Sequence, residues 1–332
     1  MRLAKRTIWI KLAKIGLAVI LGYVLYHQLW GGDHWEAFLS FWTQDRWQEN
    51  RLYLILTLVL MPINWWLETA KWWVLLRRIY HSRFRQAFLA VLNGISLSLF
   101  TPHRIGEYGG RILNYPPAAH SKVIMASLVA NFGQLLCLIT AGFGGIIFWG
   151  RSFFEELGIV YDIGLYLGGP ILVLLWWGFF SIRKLFPYLQ QIKWPSWLAW
   201  LPKTLTHANQ FDTHLLIQSA VLAGTRYLIY SIQFVCLLLF FGLAIPWHIL
   251  LSGVFVIYLM QSGLPLPPAL ALLSRGELGV LIWQNFAVNP LAILAASLAL
   301  FIINLAIPAL LGLMVIVKTN VTKSLQYEER AD

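Results

Sequence analysis

The sequence predicts an all-α polytopic membrane protein with six full spans and two broken re-entrant hairpins arranged as an inverted repeat. Three observations lead there. The chain has 332 residues, 59% of them hydrophobic and 12% charged, with mean hydropathy +0.67. Soluble domains carry about 25% charged residues, so half the usual polar coat is missing. Apolar stretches of spanning length recur to residue 317, and two of them are interrupted by Pro/Gly-rich strings. This excludes a water-soluble enzyme, a nucleic-acid module and a disordered chain.

A spanning helix needs about 20 mostly apolar residues. The first candidate, 8–30, follows basic residues and continues to Trp30 without a small-residue cleavage site, so it reads as an uncleaved span. The second is 51–76. Region 86–116 is a short apolar helix, then Thr101-Pro102-His103-Arg104-Ile105-Gly106-Glu107, then a second short piece. Spans follow at 122–149, 157–182 and 214–243. Region 247–286 is again broken, by Ser262-Gly263-Leu264-Pro265-Leu266-Pro267-Pro268, and continues to Ser274-Arg275-Gly276-Glu277-Leu278-Gly279. The last span is 290–317. Segment 186–212, with Trp194, Trp197 and Trp200 among basic and polar residues, reads as interfacial.

Charge sets the topology. The net charge is +11, and the basic residues cluster at 2–14, 77–85, 183–203 and 318–330. Cytoplasmic loops carry this excess. With both termini inside, only Arg46, Arg51 and Arg151 fall in outside segments, and 31–50 is acidic. Region 86–116 then begins and ends inside, and 247–286 begins and ends outside. Each half holds two spans, a broken hairpin and one span, so 1–156 and 157–332 form two oppositely inserted repeats, with no soluble domain. Inverted repeats with broken helices are a transporter pattern whose site lies between the breaks. The two cysteines, Cys137 and Cys236, sit in apolar runs and read as core residues.

An ionisable group in the bilayer costs about 2.5–3.5 kcal/mol or more, so each one needs a reason. Arg104 and Arg275 stand at the two breaks. A guanidinium matches a phosphate bidentately, so both are candidates for an anionic-headgroup clamp. The competing reading pairs them internally with Glu107 and Glu277, which are also candidates for ion coupling. Glu68 and Lys71, three apart on one helix, can satisfy each other, or Lys71 can snorkel to the inner surface. Arg226 has no acid within one turn, so it needs a partner on another helix or an aqueous cavity. Arg111, near the hairpin exit, reads as interfacial and as a further headgroup candidate. Asn64, Asn93, Asn131, Gln134, Gln233, Gln261 and Asn304 read as inter-helix hydrogen-bonding residues. Gly94, Gly106, Gly109 and Gly110 permit tight backbone packing. No metalloprotease, nucleophile-elbow or phosphate-loop motif is found, so neither a catalytic role nor a metal or other cofactor is expected.

The run Leu67-Glu68-Thr69-Ala70-Lys71-Trp72-Trp73-Val74-Leu75-Leu76-Arg77, with Asn93-Gly94 and Pro102 through Glu107, resembles the lysylphosphatidylglycerol synthase transmembrane-region family, also described as flippase-like. Its members have a Pro-x-x-x-Gly-Glu turn followed shortly by an arginine, here Arg111. The second half adds Phe241-Gly242-Leu243 at a span end and the Pro265-to-Gly279 string, which departs from the family's Gly-rich form. The resemblance implies a bacterial inner-membrane protein and a region associated with flipping aminoacylated phospholipid. No counterpart of those enzymes' soluble aminoacyl-transferase domain is read here, so lipid aminoacylation is not expected of this chain. The expected function is movement of a phospholipid or lipid-linked anionic headgroup between leaflets, with membrane lipids as partners and no nucleic acid. The alternatives are a membrane-embedded transferase or accessory subunit for polyprenyl-phosphate glycans, and a membrane scaffold.

Overall fold

The computed structural model describes residues 46–99, 101, 105–154, 158–191, 204–263, 268–286 and 288–318. The expected first span, 8–30, lies outside them, as do Arg104 and most of the tryptophan-rich segment. Every regular element among the described residues is helical: α1 (Arg46–Ile79), α2 (Phe84–Ser98), α3 (Gly106–Ile112), α4 (His120–Phe153), α5 (Ile159–Phe180), α6 (Ile182–Gln191), α7 (Thr213–Phe240), α8 (Trp247–Ser262), α9 (Pro268–Ile282), α10 (Pro290–Phe301) and α11 (Ile307–Lys318). Among the described residues, five stretches are long and apolar enough to cross a membrane: 49–79, 117–150, 159–180, 213–240 and 290–317. In a bilayer only closed hydrogen-bond ladders satisfy the backbone, so helices are what such a composition must form. The molecule is an all-α polytopic membrane protein.

The helix ends follow local chemistry. The Asp212 carboxylate accepts from the Leu215 N–H at 2.8 Å and starts α7. Asn289 caps α10 by accepting from the Leu291 N–H at 3.0 Å, with Pro290 at the first helical position. The Phe241-Gly242-Leu243 string ends α7 in a Schellman motif. Leu243 N–H donates to Leu238 C=O and Gly242 N–H to Leu239 C=O, both at 3.0 Å, and Gly242 has φ of 90°, which a side chain would strain.

The two broken regions are each a pair of short helices, α2 with α3 and α8 with α9, and the members of each pair pack on one another. In the first pair the approach is so close that a Cβ on Gly110 would overlap the Asn93 carbonyl, and one on Gly106 the Leu97 carbonyl. Gly94 meets the same helix from the other side, whereas Gly109 faces open space and has no packing role. Helices α1 and α7 share the largest interface. Polar side chains bridge it, with Gln233 Nε2 donating to the Thr57 carbonyl at 2.9 Å. The last span is continuous but for a π-helical turn, Ile302–Ala306, before Pro308, which has no N–H to donate back. That turn carries Asn304, which accepts from Asn64 Nδ2 of α1 at 2.8 Å. Helix α5 buries fully only Tyr161 and Phe179 and is otherwise exposed or half-buried, as a helix at the lipid-facing edge of the bundle would be. Of segment 186–212, expected to be interfacial, residues 186–191 fall in the short amphipathic helix α6.

Candidate functional site

Five of the candidate charges meet inside the bundle. Glu68 of α1 is the hub. Its Oε2 lies 2.8 Å from Lys71 Nζ, one turn along the same helix, and 2.8 Å from Arg226 Nε of α7. Its Oε1 accepts from Arg111 Nη2 of α3 at 2.7 Å. Arg111 also pairs with Glu107, four residues earlier on α3. Helix α4 completes the cluster with a polar stripe at helical spacing: Ser127, Asn131 and Gln134. Gln134 Oε1 accepts from both Lys71 Nζ at 3.1 Å and Arg226 Nη1 at 3.2 Å. Gln134 Nε2 in turn donates to the Ala223 carbonyl of α7 at 3.1 Å, which fixes the amide. Ser127 accepts from Arg111 Nη1 at 3.3 Å, and the Arg111 guanidinium lies 4.7 Å from the Trp72 ring centroid.

Among the described residues the arrangement has one cation in excess: Lys71, Arg111 and Arg226 against Glu68 and Glu107. Unpaired, any of these groups in hydrocarbon would cost several kcal/mol, so the network explains how the bundle tolerates them. Access is uneven. The side chains of Lys71 and Arg111 are 2% and 1% exposed, whereas that of Arg226 is 17% exposed. Arg226 is therefore the accessible edge of the cluster. Gln134 and Arg226 lie near the middle of their helices, 120–153 and 213–240, so the cluster sits at membrane depth.

Three expectations are corrected here. Arg111 is not interfacial. The glycine-mediated contact of α3 with α2 turns its Glu107/Arg111 face into the bundle. Lys71 does not snorkel, because Glu68 and Gln134 hold its ammonium inside. Arg275 does not pair with Glu277. Residues two apart on a helix point to opposite sides, and Glu277 is exposed. Arg226 does find its acid on another helix, as its sequence neighbourhood required.

Arg275 is elsewhere, in the α8–α9 pair. Its guanidinium lies 5.3 Å from the Tyr258 ring centroid and 5.4 Å from that of Phe234, and its Nε donates to Gln261 Oε1 at 3.4 Å. Gln261 Nε2 donates to Ser274 Oγ at 2.9 Å and so ties α8 to α9 across their break. The other half of the expected clamp, Arg104, lies outside the described residues.

Gln134, Ser127 and Trp72 carry the cluster together, but no single-helix pattern pointed to them as a site. The one legible signal was the 127/131/134 spacing on α4. Among the described residues, no group of three or more His, Cys, Asp or Glu side chains could hold a metal ion.

Comparisons with curated proteins and with solved structures returned no match. The sequence profile of the family described as "Lysylphosphatidylglycerol synthase TM region" matches residues 11–312. That match covers nearly the whole chain, including α1, the α2–α3 hairpin and both glutamates of the cluster, so the chain belongs to the lysylphosphatidylglycerol synthase transmembrane-region family.

Proposed function

We propose that this protein moves a phospholipid or lipid-linked anionic headgroup between the leaflets of a bacterial inner membrane, with both termini cytoplasmic. The observation that carries the reading is the cation-rich cluster of Glu68, Lys71, Arg111, Glu107 and Arg226 at membrane depth, with Arg226 as its accessible member. A headgroup phosphate reaching Arg226 meets a guanidinium whose planar fork suits it and whose competing partner, Glu68, is already shared with two other cations. Exchange of Glu68 for phosphate at Arg226 leaves Glu68 held by Lys71 and Arg111, so neither carboxylate is stranded. An internal ion pair that opens for an incoming anion lowers the cost of keeping an arginine in the membrane between substrates.

The test is lipid movement in proteoliposomes, read as protection of fluorescently tagged lipid from an impermeant quencher. Tagged phosphatidylglycerol is expected to cross faster than in empty vesicles and faster than tagged phosphatidylcholine. Arg226→Gln should remove most of the difference. Equal rates with and without protein for both lipids would overturn the reading. A second reading, a scaffold whose cluster only pins four helices, is favoured by the ionic partner found for each charged member. It predicts that Arg226→Gln lowers thermal stability while every lipid crosses at the empty-vesicle rate.

A further inference from the structure

Arg226, Tyr230 and Phe234 are spaced i, i+4, i+8 on α7 and so share one face. From the charge cluster, this face continues into a group of rings. Tyr230 lies 5.5 Å from Tyr258, centroid to centroid, and Phe234 lies 6.1 Å from the same ring. Tyr227 adds a further contact with Tyr258 at 6.2 Å. At the far end the Arg275 guanidinium lies over the Phe234–Tyr258 ring pair, 5.4 and 5.3 Å from the two centroids. Eight helical residues separate the two α7 ends of this row, about 12 Å of rise.

The way Arg275 is held matters more than its position. Aromatic rings engage a guanidinium through its faces, while its N–H donors lie in the plane. One in-plane donor, Nε, goes to Gln261; the two terminal amino groups have no hydrogen-bond partner among the described residues. Glu277, the acid nearest in sequence, is exposed and unpaired with it. Arg275 is thus placed by Gln261 and the two rings, while its terminal amino groups are left to offer a pair of hydrogen bonds to phosphate oxygens. Arg226 is the opposite case, a guanidinium satisfied by a carboxylate.

We infer that Arg275, with Phe234, Tyr258 and Gln261, forms a second station for the phosphate of an anionic lipid, joined to the Arg226 cluster by the aromatic face of α7. The inference rests on the proposed role of that cluster and adds to it a second binding site and a path along α7. The rings between the stations suit a headgroup in transit: they are apolar enough to remain in the membrane, and Tyr230 carries a hydroxyl at mid-path.

Native mass spectrometry of the purified full chain with added phosphatidylglycerol tests it. Wild type should retain two phosphatidylglycerol molecules, and phosphatidylcholine should bind more weakly. Arg275→Lys keeps the charge but loses the fork, and should weaken the second lipid about tenfold or more while leaving the first. Arg226→Lys should weaken the other. Gln261→Glu guards against misfolding, because a carboxylate there would satisfy the guanidinium and hold the hairpin while competing with phosphate. It too should lose the second lipid. Retention of both lipids by Arg275→Lys and by Gln261→Glu would overturn the second station. Loss of one lipid in Arg226→Lys alone would do the same and leave the cluster standing. If wild type retains no anionic lipid, the cluster reading fails and this one with it. Soluble glycerol phosphate should give no adduct; an adduct lost in Arg275→Lys would make the site one for free phosphate and reject the lipid station.

Discussion

Glu68 holds three cations at once, from two neighbouring helices and its own. Glu68→Gln leaves those cations with Glu107 as the remaining carboxylate of the cluster. Removing one partner of a buried ion pair costs about 3–5 kcal/mol, so the variant should unfold in detergent at a markedly lower temperature than wild type. Glu277→Gln, on an exposed carboxylate, should leave the melting point where it is. A thermal-shift series on both variants checks the contrast. A second residue-scale expectation concerns pH. His207 lies between α6 and α7, with Nε2 3.1 Å from Ser121 Oγ. Burial, and then the Lys122 charge, hold its pKa below the ordinary 6.5. The unfolded chain therefore takes up a proton before the folded one does. Stability from this residue is full above about 6.5 and declines as pH falls below it. Melting temperatures of wild type should fall more steeply than those of His207→Gln between pH 6.5 and 5.

At the scale of elements, the α2–α3 hairpin aims the Glu107/Arg111 pair, and its geometry depends on side chains that are absent. A methyl at Gly110 would strike the Asn93 carbonyl, so Gly110→Ala must push α3 away from α2 and withdraw Arg111 from Glu68. Gly109→Ala, one residue away, meets nothing within 4 Å and adds helix propensity. The first variant should lose thermal stability and anionic-lipid binding together, and the second should keep both. Identical behaviour of the two would show that close packing does not position the pair. The residue type was legible, since a glycine-rich string after a break signals close backbone approach. Which glycine makes the contact depends on the rotation of α3 about its own axis, and only packing against α2 sets that.

At the scale of the whole molecule, the basic clusters at 77–85, 183–203 and 318–330 predict an inverted arrangement, with residue 118 expected on the cytoplasmic side and residue 287 outside. Single cysteines at these positions, in a background with Cys137 and Cys236 replaced, should react with impermeant reagents from those sides alone. Labelling of 118 from outside, or of 287 from the cytoplasm, would remove the inverted repeat.

The sequence by itself determined where the helices are, because in a bilayer every backbone group must be satisfied within its own segment, and about 20 apolar residues announce that. The expected span 214–243 is α7, 122–149 is α4, and 290–317 is the α10–π–α11 stretch. The proline- and glycine-bearing strings at 101–107 and 262–268 announced the ends of α2 and α8. It also named the charged residues that matter, since each is expensive in a membrane. It paired Glu68 with Lys71 one turn away, but set Glu107 against Arg104 rather than Arg111, because helical periodicity relates neighbours on one helix and nothing else. The meeting of Arg111 and Arg226 on Glu68, from helices that lie far along the chain from α1, was decided by the tertiary structure. So was the separation of Arg275 from Glu277, where strings that look alike at the two breaks meet different neighbours. Ion pairs between helices depend on rotation and depth of whole elements, set by packing over their full length, and no local pattern of residues encodes that.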